Sequence, residues 1–531
     1  MADYDYIIAG GGTAGCILAN RLTEGGQYRV LMLEAGRNAL SMWVPIPAGF
    51  SKLMTDPRFN WGFQTEPEDN VNGRSIAVPR GKGLGGSSLI NGMIYVRGQE
   101  QDYNAWEAAG AHGWAFRDVE PYFYKLENYA SGNARRGKNG PMYLEQVAER
   151  FPIAEAFLKA AAQDGHPYND DYNDQDQEGF GYYQVLQHKG RRWSIFDGYL
   201  KPVRNRKNLK IESNAHVVRL LIEHKRCTGV VYRKDGREVI VKANRETLVC
   251  LGAIQSPQLL ELSGVGNPEL IQAHGIPVVH ALKGVGENYI EHFATRMNWR
   301  VKNTVTLNEM SRGVSLAGHV ARYYLQRKGI LTLGTGLVHG FIKTSPELAT
   351  PDVQYFFVHA SYANAANRVL DKEPGMTIGV AQLRPESRGT IHIKSSNPFE
   401  CPAIRPNFLD APADREALIK GMQIARRIVK QPAMQDYVSH EMNPGEDVNT
   451  FDEWLDFARS TGQTIYHPIG TCRMGVDPQA VTDPRLRVSG IEGLRVIDAS
   501  VMPLMVSGNT QGAVMMVAEK GADMILQDAK A

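Results

Sequence analysis

Three glycines close to the N-terminus have the spacing of a phosphate-binding turn. Gly10, Gly12 and Gly15 follow the pattern Gly-x-Gly-x-x-Gly. In that pattern the first glycine permits a tight turn, the second lets the backbone approach a diphosphate, and the third allows a helix to pack closely on a strand. Glu34 follows roughly 20 residues later, where a carboxylate accepts hydrogen bonds from ribose hydroxyls. Together these residues predict a dinucleotide site.

The elements around these glycines are those that such a site requires. Residues 4–9 form a β-prone run, residues 16–22 have helical periodicity, and residues 28–33 have the pattern of a second strand. A diphosphate would then lie at the positive end of the helix dipole, against free N–H groups. We therefore expect a Rossmann-like α/β unit rather than a merely structural turn. These residues alone do not separate NAD from FAD.

Two further segments combine dense glycine spacing with polar side chains. Residues 80–91 contain Gly81, Gly83, Gly85 and Gly86 and end at Asn91, and residues 252–266 follow a predicted strand at 247–251. Such spacing brings main chain against a ligand, and serine and asparagine side chains can bond to it. A flexible loop is the alternative for the first segment, but the apolar residues 93–96 that follow disfavour it.

These two segments resemble the signature segments of the glucose-methanol-choline (GMC) oxidoreductase family. Similar blocks occur along the whole chain, at residues 284–288, 383–389, 467–475 and 496–510. The chain is most similar to the bacterial branch of choline dehydrogenase-like and L-sorbose dehydrogenase-like alcohol dehydrogenases. One departure is that this branch usually continues Asn-Ala-Pro after Asn509-Thr510, whereas this chain has Gln511-Gly512-Ala513. The resemblance implies FAD as the cofactor.

The resemblance also implies which residues bind FAD. They belong to the glycine turn, the second strand, the second glycine segment and the C-terminal blocks: Gly10, Gly12, Thr13, Ala14, Gly15, Glu34, Ala35, Gly85, Ser87, Asn91, Gly92, Met93, Ile94, Val217, Asp498, Ala499, Asn509, Thr510 and Gln511. The backbone of Val217 is expected to pair with adenine. Some family members attach FAD covalently to a histidine, which aligns with Ile90 here. Because an aliphatic side chain has no lone pair, we expect non-covalent FAD.

The order of the blocks predicts two interleaved domains of an α/β (overall α+β) protein. Residues 1–150, 205–290 and 468–531 carry the FAD motifs and are expected to form a Rossmann-like FAD-binding domain. Residues 151–204 and 291–467 alternate strand-like runs, such as 353–357, with helical stretches, such as 415–430. By resemblance they form a substrate-binding domain, with an antiparallel sheet covered by helices.

Two residues are predicted to be catalytic. Oxidising an alcohol with a flavin removes a hydroxyl proton and moves a hydride to flavin N5, and the weakly acidic hydroxyl needs a positioned base. His467 matches the family's catalytic histidine, although a lone histidine is more often structural. Asn509 matches the second catalytic position, where its amide would donate to the substrate oxygen. It would also make a good N-cap for a predicted helix at 514–525, and both roles can coexist.

The predicted substrate pocket and reaction leave several alternatives open. Ile465 and Tyr466 lie beside the base in sequence, and Trp61 is a further candidate for the pocket, whereas His216, His292 and His440 are taken as structural. The expected reaction is oxidation of a primary alcohol, polyol or sugar by a dehydrogenase that passes electrons to a quinone or another carrier. An oxidase that reduces oxygen, a redox-silent flavin-containing lyase and a non-enzymatic nucleotide sensor are the alternatives.

Composition limits the other classes of function. The chain has 531 residues, 43% of them hydrophobic and 22% charged, with a net charge of +2. That balance indicates neither a nucleic-acid partner nor a basic membrane-binding surface.

The five cysteines are scattered without a Cys-x-x-Cys pair, which favours a reducing compartment and argues against a zinc site. With structure beginning near Tyr4 and no run of about 18 apolar residues, we expect a cytoplasmic protein without a spanning segment. The acidic residues 169–178 are expected to form a solvated loop, not a calcium site.

Overall fold

A computed structural model describes residues 4–38, 41–364 and 369–530. Its helices are α1 (Thr13–Thr23), α2 (Phe50–Leu53), α3 (Glu100–Ala108), α4 (Phe116–Leu126), α5 (Pro152–Gln163), α6 (Gly252–Leu262), α7 (Pro268–Ala273), α8 (Leu307–Met310), α9 (Gly313–Gln326), α10 (Pro412–Val429), α11 (Phe451–Thr461) and α12 (Gln511–Asp528). No helix in the described ranges is long and apolar enough to cross a membrane.

The first large sheet has seven strands and contains the predicted nucleotide-binding elements. Its strands are, in spatial order, Leu209–Ser213, Val30–Glu34, Tyr4–Ala9, Arg237–Val249, Arg226–Lys234 and His216–Glu223, with Leu494–Val496 paired to Arg237–Val249. The pairs that involve the first two strands of the chain are parallel, and the two hairpin pairs at the other edge are antiparallel. The strand Tyr4–Ala9, helix α1 and the strand Val30–Glu34 therefore follow one another along the chain, as the α/β prediction requires.

The second large sheet also has seven strands, and its pairs are antiparallel. Its strands are, in spatial order, Val438–Asn443, Phe293–Val301, Gly375–Gln382, Val353–Val358, Val338–Ile342 and Gly179–Tyr182, with Gln463–Thr464 paired to Phe293–Val301. Short two-stranded pairs complete the fold: Phe63–Gln64 with Ala77–Val78, Glu127–Asn128 with Met142–Tyr143, Glu145–Gln146 with Gln184–Val185, Gln187–His188 with Arg191–Arg192, Val265–Gly266 with His280–Ala281, Tyr362–Asn364 with Val369–Leu370, and Thr390–His392 with Ala403–Arg405. The predicted α/β class is confirmed.

The two faces of the second sheet have different roles, because side chains alternate along a strand. On one face, Tyr355 donates a hydrogen bond to the Gly421 carbonyl of α10, and Gly421 fits closely against Val353 and Val380. On the other face, Phe356 pairs with Gly379 of the neighbouring strand, and both line the second of the two cavities described below. The helices thus cover one face of this sheet and leave the other for the site.

Candidate active site

The first glycine turn forms one end of an elongated cavity. Gly10 has a φ of +106°, which favours glycine, and Gly15 lets α1 approach the turn where any side chain would meet the Gly10 carbonyl. Gly12 differs from both, because a Cβ placed there would meet no protein atom nearer than 4.0 Å. Gly12 is also the N-cap of α1 and supplies no side-chain cap, so the first N–H groups of the helix are left for a ligand.

The second glycine segment lies directly on the first. Gly85 donates its N–H to the Gly11 carbonyl at 2.7 Å, and a Cβ on Gly86 would lie 2.8 Å from the Cα of Gly12. Gly85 and Gly15, both predicted to bind the cofactor, do not line the cavity. They shape its wall by bringing two stretches of backbone together.

Glu34 lines the same cavity and holds three loops together. One carboxylate oxygen accepts from the N–H of Gly11 at 2.9 Å, and the other accepts from Gly36 at 2.7 Å and Gly83 at 3.0 Å. Burial raises the pKa of Glu34, and these N–H donors oppose that shift. Its contact with ribose stays a prediction, but the structure adds a role that the sequence did not suggest, since Glu34 joins the glycine segments.

The remaining predicted cofactor residues divide between this cavity and a second one. The first is lined by Gly10, Gly12, Thr13, Ala14, Glu34, Ala35, Ser87, Val217, Asp498, Ala499, Thr510 and Gln511. The second is lined by Ser87, Asn91, Gly92, Met93, Ile94, Asn509, Thr510 and Gln511, together with Ile465, Tyr466 and His467. Because both include Arg80, Ser87, Thr510 and Gln511, the two cavities adjoin along a shared wall. A dinucleotide fits this arrangement, with the uncapped start of α1 at the first cavity and His467 at the second.

Trp61, a predicted substrate-pocket residue, lines the first cavity and not the second. Its ring lies in the first cavity near Val217, 5.7 Å from the ring of His216, and Lys82 lies over it at 4.5 Å. The N–H of Trp61 donates to the Arg80 carbonyl at 2.9 Å, and its ring stacks on that of Phe63, which lines the same cavity. Sequence proximity could not decide between the two ends, because no motif surrounds this tryptophan.

A chain of hydrogen bonds fixes the tautomer of His467. His292 has its Nε2 3.1 Å from the Leu383 carbonyl, which only accepts, so Nε2 of His292 carries the proton. Nδ1 of His292 is then an acceptor, and Nδ1 of His467, 3.1 Å away, must donate to it. The Nε2 atom of His467 is consequently the unprotonated one, and it lies at the second cavity. Burial first, then His292 and Arg80, hold the pKa of His467 well below its usual value.

Asn509 faces this unprotonated nitrogen and donates a hydrogen bond to it. Its Nδ2 lies 3.1 Å from Nε2 of His467, and its Oδ1 accepts from Nε2 of Gln354 at 3.2 Å. The structure does not use Asn509 as a helix cap: α12 begins at Gln511, and Thr510 is its N-cap residue. The predicted helix at 514–525 was therefore too short, and the amide of Asn509 is directed to His467 instead.

A buried carboxyl group lies behind the histidines. Glu291 accepts the backbone N–H of His467 at 2.6 Å and that of His292 at 3.0 Å. Burial raises the pKa of Glu291 to about 7, while Thr464, the Arg80 charge and the two N–H donors oppose the rise. Arg80 also donates to the Tyr466 carbonyl, so one cation contacts the backbone that carries the base.

Sequence reasoning missed several of these residues. His292 was taken as structural, and nothing singled out Glu291, Gln354 or Arg296, which lines the second cavity. The available signal was position: Glu291 and His292 come directly before a strand and directly after the 284–288 block. The partner that they share, His467, lies 176 and 175 residues away in sequence, so no local pattern indicates the contact.

Comparison with known proteins agrees with this geometry. The models of the GMC oxidoreductase N- and C-terminal domains match residues 4–294 and 385–518. The chain is 40% identical to an alcohol dehydrogenase [acceptor] of Pseudomonas putida, over 99% of this chain and 96% of the relative. It is also 40% identical to an oxygen-dependent choline dehydrogenase of Rhizobium johnstonii, over 98% and 95%.

A solved structure of Aspergillus oryzae formate oxidase superposes on this chain with a TM-score of 0.92 at 27% identity, over 100% of this chain and 99% of that one. That structure addresses the effect of a mutation on FAD modification. The family models together span most of this chain, and the curated relatives match nearly all of it. The arrangement of glycine turn, uncapped helix start and buried histidine fits the cofactor that this family uses. The chain belongs to the GMC oxidoreductase family, and FAD is its cofactor.

Proposed function

We propose that this chain oxidises an alcohol, with His467 as the base. The observation that carries the proposal is the unprotonated Nε2 of His467, held at the second cavity by the hydrogen bond from its Nδ1 to His292. A low pKa keeps that atom free of a proton at neutral pH. General base catalysis typically contributes about 10²–10⁴-fold to such a step.

The side chains around the base act on the hydroxyl group. Nε2 of His467 takes the hydroxyl proton, and the Nδ1–H bond to His292 strengthens as the imidazolium forms. The hydroxyl displaces the Asn509 amide from Nε2, and that N–H then donates to the substrate oxygen as negative charge develops on it. Bound FAD supplies the acceptor for the hydride. Gln354 keeps the Asn509 amide turned towards the base.

The lining of the second cavity favours an uncharged alcohol with an apolar body. Its wall includes a group of apolar side chains: Met54, Ile90, Ala294, Phe356, Val358 and Ile465. Among its described residues it has two cations, Arg80 and Arg296, and no Asp or Glu. A quaternary ammonium would find no carboxylate here, and desolvating a cation without a partner is costly. The proposed substrate thus differs in charge from choline, which names several of the relatives.

Anaerobic reduction of the bound flavin tests this proposal. Hexanol and benzyl alcohol should bleach the flavin, whereas choline and a polyol should do so at least about tenfold less efficiently, because neither suits an apolar wall with a cation. If no alcohol bleaches the flavin, the oxidoreductase step is refuted in favour of a redox-silent lyase. If choline is the best substrate, the charge argument alone is refuted.

For the electron acceptor we propose a quinone or another carrier, as in a dehydrogenase. Support comes from the Pseudomonas putida relative, which is named a dehydrogenase with an acceptor and not an oxidase. Measuring hydrogen peroxide per alcohol consumed in air separates the two outcomes. One peroxide per alcohol at full turnover would make the enzyme an oxidase.

We further propose that the first sheet, with residues 1–150, 205–290 and 468–531, forms the FAD-binding domain, and that 151–204 and 291–467 form the substrate-binding domain. The strands of each large sheet come from these respective ranges. We propose the cytoplasm as the location, because all five cysteines are free thiols and four of them are buried. Fractionation of cells that express a tagged chain tests this.

A further inference from the structure

Helix α9 carries apolar residues on its outer face as well as on the face that packs against the core. Val314 and Leu325 are 89% and 83% exposed, and helical spacing places Gly318 and Ala321 on the same face. The one buried residue of the helix is Tyr323, on the opposite side. A surface helix normally turns its apolar side chains to the core, as Leu316 and Tyr323 do here, whereas Val314 and Leu325 stay exposed on the opposite face, where a partner could cover them.

A second exposed apolar segment adjoins α9. Met42 and Trp43 are 64% and 38% exposed, and they come just before Pro45, whose carbonyl accepts a hydrogen bond from the Tyr323 hydroxyl at 3.4 Å. Tyr324 of α9 is also exposed. These residues (Met42, Trp43, Val314, Tyr324 and Leu325) are named the α9 surface below.

Positive charge surrounds the α9 surface. Residues 311–328 contain Arg312, Arg322, Arg327 and Lys328 and no acidic residue. Met42 also lines a groove in which basic side chains, among them Lys189, Arg191, Lys201 and Arg204, outnumber the acidic ones, Asp197 and Glu212. Arg322 has one acidic partner, Glu149, at 3.7 Å. The whole chain has a net charge of only +2, so this concentration is local.

We propose that the α9 surface docks on a bilayer that contains anionic lipids. An exposed apolar stripe with aromatic residues and flanking Lys and Arg is the pattern of a helix that lies in the membrane interface. A second copy of the chain is a weaker match, because a two-fold contact through this surface would bring the same cations together. Anionic headgroups complement them.

The position of the α9 surface suits the proposed reaction. The chain that leaves α9 forms the turn Ile330–Thr332 and then reaches Thr335, which lines the second cavity. The segment after Trp43 forms α2 and reaches Met54, which lines the same cavity. Both parts of the α9 surface therefore continue into the cavity wall, and a lipid-soluble alcohol or acceptor would meet the enzyme close to it.

Co-sedimentation of the FAD-loaded enzyme with vesicles tests the proposal. The enzyme should pellet with mixed phosphatidylcholine–phosphatidylglycerol vesicles, less with pure phosphatidylcholine, and less at high salt. The double variant Val314→Asp with Leu325→Asp should lose at least about tenfold in vesicle affinity, because two side chains no longer bury apolar area. Its FAD content and its rate of flavin reduction in vesicle-free buffer should not change.

A matched control separates this surface from exposed apolar residues in general. Ile240 and Val476 are 66% and 65% exposed and lie outside α9, so Ile240→Asp with Val476→Asp should bind vesicles like the unmodified enzyme. Equal binding by the two double variants would overturn the proposal, and so would an unmodified enzyme that stays in the supernatant. Sedimentation velocity tests the alternative that a second copy of the chain covers the α9 surface. If the unmodified enzyme is a dimer that does not bind vesicles, and only the α9 double variant is a monomer, the surface is assigned to a second copy.

Discussion

Replacing His292 by Phe tests the tautomer argument directly. After His467 takes a proton, its Nδ1–H donates a charge-assisted bond to His292, 3.1 Å away and fully buried. A hydrogen bond to a charged group contributes about 1.5–3 kcal/mol, and each 1.4 kcal/mol is about tenfold in rate. His292→Phe should therefore slow flavin reduction about 10- to 150-fold. His467→Ala should lose more, about 10²–10⁴-fold.

Stopped-flow reduction under anaerobic conditions, with FAD content and melting temperature recorded for each variant, measures this effect. His359→Phe is the matched control, because His359 is equally buried, stacks on Phe151 and makes no contact with the base. His292→Gln should recover part of the rate, since an amide carbonyl can accept from Nδ1 of His467. A His292→Phe enzyme that keeps its FAD and reduces it within twofold of the unmodified rate would refute the tautomer argument.

Four further outcomes are expected. Gly12→Val should give a folded but colourless protein, because the added side chain enters the cavity and does not clash with the protein. The control Gly25→Val, whose side chain also meets no protein atom, should stay yellow. Flavin absorbance and circular dichroism measure the two outcomes. Because burial raises the pKa of Glu291 to about 7, its carboxylate ionises as the pH rises through that value and favours the imidazolium. The reduction rate should thus rise across about pH 7, and the pH profile of Glu291→Gln should lack that step. Arg296→Gln should narrow the preference for hexanol over choline several-fold, measured as the ratio of kcat/KM values, since it removes a cation from the wall. With Ile90 at the attachment position, acid denaturation should release all flavin into the filtrate, and flavin that stays with the precipitate would contradict this.

The nucleotide end of the site could be predicted because its information is local. Gly10, Gly12 and Gly15 act through backbone geometry within a single turn, and the strand and helix that they join are adjacent in sequence. Even so, Glu34 bonds to Gly83 as well as to Gly11, a contact between segments that no spacing rule indicates. The local sequence therefore predicts the glycine turn of the site, but not the hydrogen bonds of Glu34 that connect its loops.

Residues whose roles depend on tertiary contacts could not be predicted in the same way. Asn509 has the local preferences of an N-cap, yet Gln354, 155 residues away, turns its amide towards His467. The near-neutral net charge likewise predicted no basic membrane surface. Net charge is a sum over the whole chain, so it does not show that α9 and its neighbours gather cations beside exposed apolar side chains.

The register of one short strand pair explains how the base is positioned. Phe293 pairs with Thr464, and the N–H of Ile465 bonds to the His292 carbonyl at 3.2 Å. His292 precedes its strand and His467 follows the other, so antiparallel pairing brings the two histidines to the same end. A slip of one residue would turn the side chains to opposite faces and separate their Nδ1 atoms. The tautomer of His467, and with it the unprotonated Nε2 at the cavity, is therefore a consequence of strand pairing in the second large sheet.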